Sequence, residues 1–231
     1  MNKITKITIG VDIGGTKIRG VLWDGEKVLK SRETATPKNA IAFKLALIKL
    51  VESLGGANNI SIGAAGVIKG NVLMSSRNIP YIKHFDFSKI KGISFRGALD
   101  NDVRCFARAE YKRESAVGGK TIFFITLGTG VGRAVGKNGK ILKIKKFEYA
   151  ERWEPEYQKI RNSKNNKKLT EYLGKKLTTL VKPYRPRAVV VGGGISARKS
   201  FFAELKKASG LPLKKSRFGK NAVAVGAAMF F

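Results

Sequence analysis

Strand-like apolar runs over residues 4–12, 17–24 and 27–36 predict three successive strands at the start of the chain. From about residue 39 to 54 the spacing becomes helical, with Ile41, Leu45, Ile48 and Val51 as the apolar stripe of an amphipathic helix that the Gly55-Gly56 pair ends. NISIGAAG then reads as a buried strand running into a loop, and NVLMSSRNIP as a short strand followed by a turn. Over about residues 102–115 a second helix is expected, turning Val103, Phe106, Ala107 and Tyr111 inward. Strand patterns return at TIFFITLG, VGRAVG and KILKI, and a polar helical stretch covers about residues 167–180. The tail reads as a strand in AVVVGGGIS, a helix in RKSFFAELKKAS, a short strand near Leu213 and a small-residue helix in NAVAVGAAMFF.

Two of these segments resemble each other. In ITIGVDIGGTKIRGVLWDG and IFFITLGTGVGRAVGKNG, an apolar run enters a glycine-rich turn and a second strand-like run leaves it. Each hairpin is followed by a dipeptide that favours positive φ, Asp24-Gly25 and Asn138-Gly139, and then by another apolar pair, Val28-Leu29 and Ile141-Leu142. The units lie too far apart for a solenoid repeat and fit a duplicated domain.

A chain of 231 residues with 43% hydrophobic composition can bury one good core or two modest ones. No window approaches the roughly 18 apolar residues of a membrane span. The N-terminal residues lead straight into a strand pattern without signal-peptide features, which points to the cytoplasm. Cys105, the single cysteine, excludes an internal disulfide framework and a zinc site built from several cysteines; it reads as helix packing. The net charge of +30 would attract nucleotides, nucleic acid and anionic surfaces alike. Lysines thicken over residues 137–176, in KNGKILKIKK and KIRNSKNNKK. The expected reading is a solvated basic surface. Phe147, Tyr149, Trp153 and Tyr157 fit the face of a short helix or lid as well as a nucleic-acid platform, so nucleic acid is not an expected partner.

The glycine turns carry the candidate chemistry. In DIGGTK, Gly14 and Gly15 let backbone approach a polyphosphate closely, and Thr16 and Lys17 offer a hydroxyl and a cation; a tight hairpin alone would also call for glycine. In LGTGVG, Gly128 and Gly130 expose N–H groups and Thr129 adds a hydroxyl. Gly192, Gly193 and Gly194 follow a strand and precede a helix, leaving room for a flat adenosine or serving strand-to-helix packing. Asp102 is a carboxylate between the two turns in sequence and also a natural cap for the helix that starts there. Two phosphate-cradling turns with a carboxylate between them suggest an ATP-dependent kinase.

The order VDIGGTKIRG, IGAAGVI, NDVRCFARAE, ITLGTGVGRAV, VVVGGGIS, AVAVGAA, spanning about residues 7–228, resembles the ROK family of sugar kinases within the actin-like, hexokinase-like ATPase superfamily. The resemblance implies an α/β fold of two actin-like (ribonuclease H-like) lobes with an interdomain cleft. Residues 1–100 would form the sugar-side lobe with the first phosphate turn. Residues 101–231 would form the lobe with the second turn and the adenosine site, the C-terminal helix packing back on the first. It further implies ATP and Mg2+ as cofactors, with Asp12 holding the magnesium directly or through water. Asp102 would accept the proton of a sugar hydroxyl, and Gly66, Asn78, Asn101 and Glu148 would contact the sugar. The implied reaction is glucokinase-like, transferring the γ-phosphoryl group to a hexose such as glucose at its 6-hydroxyl, and family members are often homodimers.

The chain departs from the family pattern after the second hairpin. A Glu-x-Gly-His segment with a zinc-binding cysteine cluster is usual there, and this chain has KKFEYAERWEPEYQ. Glu148 can stand in for the glutamate, but no histidine or cysteine follows, and the one histidine, His84, reads as a loop residue. Zinc is therefore not expected. The rebuilt segment keeps other acceptors open, an N-acetylated amino sugar or another small alcohol, and a non-catalytic nucleotide-sensing or polyanion-binding protein is the alternative of another class. The helix-turn-helix extension of related repressors is not found, which disfavours a DNA-binding repressor.

Overall fold

The first unit begins with an antiparallel meander of β1 (Thr8–Ile13), β2 (Lys17–Trp23) and β3 (Val28–Ala35). The computed structural model describes residues 7–56, 59–93, 95–114 and 121–231. Residues 4–6 of the expected first strand and Ser115 of the expected second helix lie outside them. Asp24 and Gly25 make the predicted turn, with the Asp24 carboxylate accepting from the Glu26 and Lys27 N–H groups at 2.9 and 2.8 Å and Gly25 at φ +97°.

α1 (Ala40–Ser53) is capped by Asn39, whose side chain accepts from Ala42 N at 2.9 Å. Its buried face differs from the predicted stripe. Phe43, Leu47, Leu50 and Val51 enter the core, while Ile41 is 76% exposed and Leu45 53% exposed. Apolar residues cover most of this helix, so two overlapping stripes satisfy the same period. The stripe containing the large Phe43 ring is the one that packs, with Phe43 meeting Phe85 edge to face.

β4 (Ile60–Ala64) pairs in parallel with β1, and a side sheet of β5 (Val67–Lys69), β6 (Val72–Ser75) and β7 (Phe85–Asp86) follows. β8 (Leu99–Asn101) then pairs in parallel with β4 and runs directly into α2 (Asp102–Glu114). Strands β5, β7 and β8 are too short to leave a periodic signal. The main sheet has the order β3-β2-β1-β4-β8.

The second unit repeats this plan. β9 (Ile122–Leu127), β10 (Val131–Lys137) and β11 (Lys140–Leu142) form an antiparallel meander, with Asn138 and Gly139 at φ +50° and +77° in its second turn. After α3 (Glu154–Asn162) and α4 (Asn166–Val181) come β12 (Ala188–Gly192), parallel to β9, then α5 (Phe201–Ser209) and β13 (Leu213–Lys215), parallel to β12. The sheet order, β11-β10-β9-β12-β13, matches the first, strand for strand. Its core gathers Phe123, Ile125, Leu169, Leu173, Val189 and Phe201.

α6 (Ala222–Ala228) returns to the first unit and lies on β1 and β4. Its alanines and glycine are buried, small enough for helix and sheet to approach closely, and Thr8 Oγ1 donates to Ala228 O at 3.3 Å. The compact units are Met1–Ala109 with Asn221–Phe231, and Glu110–Lys220. The first crossing thus falls inside α2, not at residues 100 and 101. Among the described residues no helix is long and apolar enough to cross a membrane.

Candidate active site

In the first unit, the C-terminal ends of the parallel strands β1, β4 and β8 bring most of the predicted residues to one edge, where open α/β sheets place their ligands. Asp12 lies one residue from the end of β1, opposite Arg19 on β2 and Gly63 on β4. Asp102 is the first residue of α2. Burial pushes the Asp12 carboxyl up to about 7, the charge of Asp102 adds to the rise, and Arg19 opposes it. Burial likewise pushes Asp102 up to about 6, against a bond from the Val103 N–H and the charge of Arg104.

The third acid of this edge is committed elsewhere. Asp100 is buried and accepts from Arg104 Nε and Arg108 Nη2, each at 2.6 Å. Arg108 also donates to Gly226 O at 3.0 Å and stacks over Phe230, which ties β8 and α2 to the C-terminal segment.

Backbone and amide contacts draw the remaining predicted residues of this unit together. Asn101 Oδ1 accepts from Val103 N at 3.1 Å as the helix cap, and its Nδ2 reaches Gly66 O at 3.5 Å. Gly66 has φ +150°, and a Cβ there would lie 2.2 Å from Ser75 O. A Cβ on Gly15 would lie 2.7 Å from that of Asn78, so the first glycine turn rests against the Asn78 loop. Thr36 fixes the turn by donating from its hydroxyl to Gly14 O at 2.6 Å and from its N–H to Thr16 O at 3.0 Å. Thr16 is exposed. Lys17, read as a phosphate cation, opens β2 and donates to Glu33 Oε1 on β3 at 2.5 Å; with Arg19 on its other oxygen, the Glu33 carboxyl falls to about 2. His84 is exposed in a loop.

The residues fit a magnesium ion. Two half-buried carboxylates whose charges repel are hard oxygen donors in need of a cation, and magnesium takes few protein ligands, filling the rest with water and phosphate. Among the described residues no group of three or more His, Cys, Asp or Glu could hold a metal.

In the second unit, the ends of β9 and β12 carry the other glycine turns. α3, of which the sequence suggested only a short helix or lid carrying Tyr157, holds the Gly128–Gly130 turn by its carbonyls. Tyr157 OH donates to Gly128 O at 2.7 Å, Gln158 Nε2 to Thr129 O at 3.1 Å, and Arg161 Nη1 to both oxygens, at 2.8 and 2.7 Å. Burial pushes the Tyr157 phenol up to about 12, which keeps its proton available for that bond. With the carbonyls engaged on the α3 side, Gly128 looks onto open space. Of the three glycines read as an adenosine shelf, Gly192 is buried in β12, while Gly193 and Gly194 are exposed; Gly193, at φ +88°, has its Cβ direction filled by the Leu127 backbone, and that of Gly194 is open. Gly128, Thr129 and Gly194 share an open depression of about 500 Å³ with Arg161, Lys164 and Arg198.

The rebuilt segment is ordered around a buried arginine. Arg133 on β10 donates to the Glu151 carboxylate and to Tyr149 O, reaches Lys146 O at 3.4 Å, and faces the Phe147 ring. Glu148 ends the short 3-10 turn Lys145–Glu148 and is half-buried. An arginine inside an otherwise apolar strand run was the one available signal.

Comparison with known proteins agrees with the motif order. A glucokinase of Streptomyces coelicolor is 32% identical over 136 residues, 56% of this chain and 43% of that protein. An N-acetylmannosamine kinase of Salmonella paratyphi A is 34% identical over 143 residues, 58% of this chain and 49% of that one. The chain thus spans a little under half the length of these curated relatives. Among solved structures, a ROK family glucokinase from Streptomyces griseus in complex with glucose and AMPPNP superimposes with a TM-score of 0.81 at 22% identity, covering 96% of this chain and 98% of that one. An inorganic polyphosphate/ATP-glucomannokinase from Arthrobacter sp. strain KM gives 0.80 at 24% identity, covering 96% and 97%. Both share the two-sheet α/β fold. Since the ROK family model also matches residues 8–145, more than half of its length, the chain belongs to the ROK family.

Proposed function

We propose that this chain is a sugar kinase that transfers the γ-phosphoryl group of ATP to a hydroxyl of a hexose. The observation that carries the reading is the pair Asp12 and Asp102, two carboxylates at the strand ends with pKa values raised to about 7 and about 6. A general base works best when its pKa lies near the working pH, and Asp102 has been moved toward it. In the proposed step the sugar oxygen forms a bond to the γ-phosphorus, the bridging bond to the β-phosphate breaks with its electron pair, and the hydroxyl proton passes to Asp102. Magnesium, held by Asp12 directly or through water, would neutralise phosphate charge when bound. Asn78, Asn101 and Gly66 would orient the acceptor and Glu148 would add a contact, while Gly14, Gly15 and Thr16 and the Gly128–Gly130 turn would hold phosphates.

Glucose is the favoured acceptor, because glucokinases stand among both the sequence relatives and the structural neighbours. An N-acetylated amino sugar is the second reading, favoured by the N-acetylmannosamine kinase relative. Purified protein with ATP and magnesium, offered a panel of hexoses and amino sugars, is expected to release ADP in an acceptor-dependent way. Asp102→Asn should retain nucleotide binding and lose at least about a hundredfold in turnover. Unchanged turnover in that variant would remove Asp102 from the mechanism, and ADP release indifferent to every acceptor would remove the kinase.

A further inference from the structure

α1 carries two apolar faces, and the core of the first unit takes only one of them. Phe43, Leu47, Leu50 and Val51 are buried. Ile41, Leu45 and Ile48, spaced i, i+4 and i+7, form a second stripe that turns outward. Ile48 is half-buried, Leu45 is 53% exposed, and Ile41, at 76%, is the most exposed large hydrophobic side chain among the described residues. A helix that is apolar on every side is ordinarily covered on every side.

The polar positions frame this stripe. With about 3.6 residues per turn, Lys44 falls on one flank and Lys49 on the other, and Lys38 stands just before the Asn39 cap. All three lysines are exposed. Glu52, in the last turn, is the one carboxylate of the helix.

The framing charges choose the occupant. Both flanks carry lysine, so a second copy of the chain, parallel or antiparallel across a two-fold axis, would set lysine against lysine, between two chains that each carry +30. An anionic surface meets the same flanks favourably. A side chain as exposed as Ile41 stands on a ridge, and a fluid surface covers a ridge without needing a groove shaped to it. Lysines beside an apolar stripe suit the boundary of a bilayer, where the apolar side chains enter among the acyl chains and the ammonium groups stay with the headgroups.

We propose that the outward stripe of α1 seats this chain on an anionic lipid surface, with Ile41 and Leu45 inserted at the headgroup boundary and Lys38, Lys44 and Lys49 paired with anionic headgroups. The contact is peripheral and spans nothing. It lies beyond the kinase reading and does not depend on it. Two inserted side chains and three lysines make a reversible attachment that weakens as salt rises.

Flotation of the full chain with vesicles of phosphatidylcholine, with and without phosphatidylglycerol, tests this. Binding is expected to the anionic vesicles alone. Ile41→Ser with Leu45→Ser leaves the net charge untouched and should weaken that binding by about tenfold, with sugar phosphorylation unchanged. An environment-sensitive dye gives a second readout: Cys105 is buried, so the label goes to an introduced Leu45→Cys. Emission from that position should shift to the blue on anionic vesicles, and emission from Lys206→Cys, at an exposed site on α5, should not. Undiminished vesicle binding by the serine double variant would show bulk charge alone at work and overturn the proposal, as would a silent dye at position 45. A dye at 45 that responds to polyglutamate and not to vesicles would assign the stripe to an acidic polypeptide, and self-association without vesicles that the serine variant abolishes would assign it to a second copy; either result overturns the lipid reading.

Discussion

The guanidinium of Arg133 is closed on the carboxylate of Glu151, and the two partners differ sharply in exposure: the arginine side chain is 2% exposed and the glutamate 29%. Desolvation already holds the Arg133 pKa below its ordinary value. Removing Glu151 therefore takes the hydrogen-bonded carboxylate from a buried cation and leaves only the charge of Glu154 to oppose desolvation, whereas removing the arginine leaves a carboxylate that water can reach. Glu151→Ala is expected to cost about 3 kcal/mol or more. Arg133→Met should cost less, on the order of 1–2 kcal/mol, for the lost bonds to Tyr149 O and Lys146 O. It also removes the buried Nε, which has no hydrogen-bond partner among the described residues. Chemical denaturation of both variants decides the order, and a larger loss for Arg133→Met would show that the segment does not depend on satisfying a buried charge.

Asp12 should make stability fall as pH rises in metal-free protein. An acid whose folded-state pKa is raised contributes its stability fully below its unfolded value, near 4, and loses it as pH climbs through about 7. Asp12→Asn in the presence of EDTA is accordingly expected to match the wild type near pH 4 and to exceed it by on the order of 3 kcal/mol at pH 8. Magnesium should narrow the gap at pH 8, since the ion takes the place of the proton on the wild-type carboxylate alone. Denaturation midpoints across pH, with and without magnesium, test both statements; a variant advantage largest at low pH would reverse the electrostatic account.

What could be read from the chain follows from the range of the interactions. The meanders that contain DIGGTK and LGTGVG were legible because the turns to their third strands, Asp24-Gly25 and Asn138-Gly139, are decided by neighbouring residues. The Lys17–Glu33 pair was not legible because Glu33 reaches Lys17 only through the register of β2 and β3. α3 was legible only as a short helix or lid, because it buries just Glu154, Tyr157 and Ile160, too few apolar positions for a period to show. The burial of Arg133 was not legible, because it depends on Lys146, Tyr149 and Glu151 in a segment that follows β11 and folds back around it. The charge of +30 was plain from the start, but the local grouping of Arg161, Lys164 and Arg198 is a tertiary fact.

Two glycines separate a folding requirement from a ligand requirement. At Gly66, φ is +150° and a Cβ would meet Ser75 O at 2.2 Å, so Gly66→Ala should destabilise by about 2 kcal/mol or more. At Gly128 an added Cβ meets nothing within 4 Å. Gly128→Ala is therefore expected to keep the stability of the wild type to within about 0.5 kcal/mol while raising the donor KM, if phosphate approaches the turn as closely as proposed. Thermal melts and donor kinetics on the pair check this. An unaltered donor KM in Gly128→Ala would place the phosphate chain away from that turn.

Glu110 gives the last expectation. Its buried carboxylate, on α2, gathers the chain just before it returns to the first unit: Oε1 accepts from Ser216 Oγ at 2.6 Å, Arg217 N at 3.0 Å and Phe218 N at 3.1 Å, and Oε2 accepts from Arg217 N at 3.1 Å. Every partner is a donor, so the position calls for a group that only accepts. Glu110→Gln keeps the shape but turns an NH2 group toward an N–H or a hydroxyl, and weakens the remaining bonds by removing the charge. A loss of about 2–3 kcal/mol is expected. Ser216→Ala removes one donor that the carboxylate can forgo and the acceptor of the exposed Gly219 N–H at 3.1 Å, which water can replace, and should cost about 1 kcal/mol. Hydrogen exchange at the Arg217 and Phe218 amides reports the same event locally, with protection lost in Glu110→Gln and largely kept in Ser216→Ala; amides that stay protected in both variants would mean that the turn is held by its own backbone and not by Glu110.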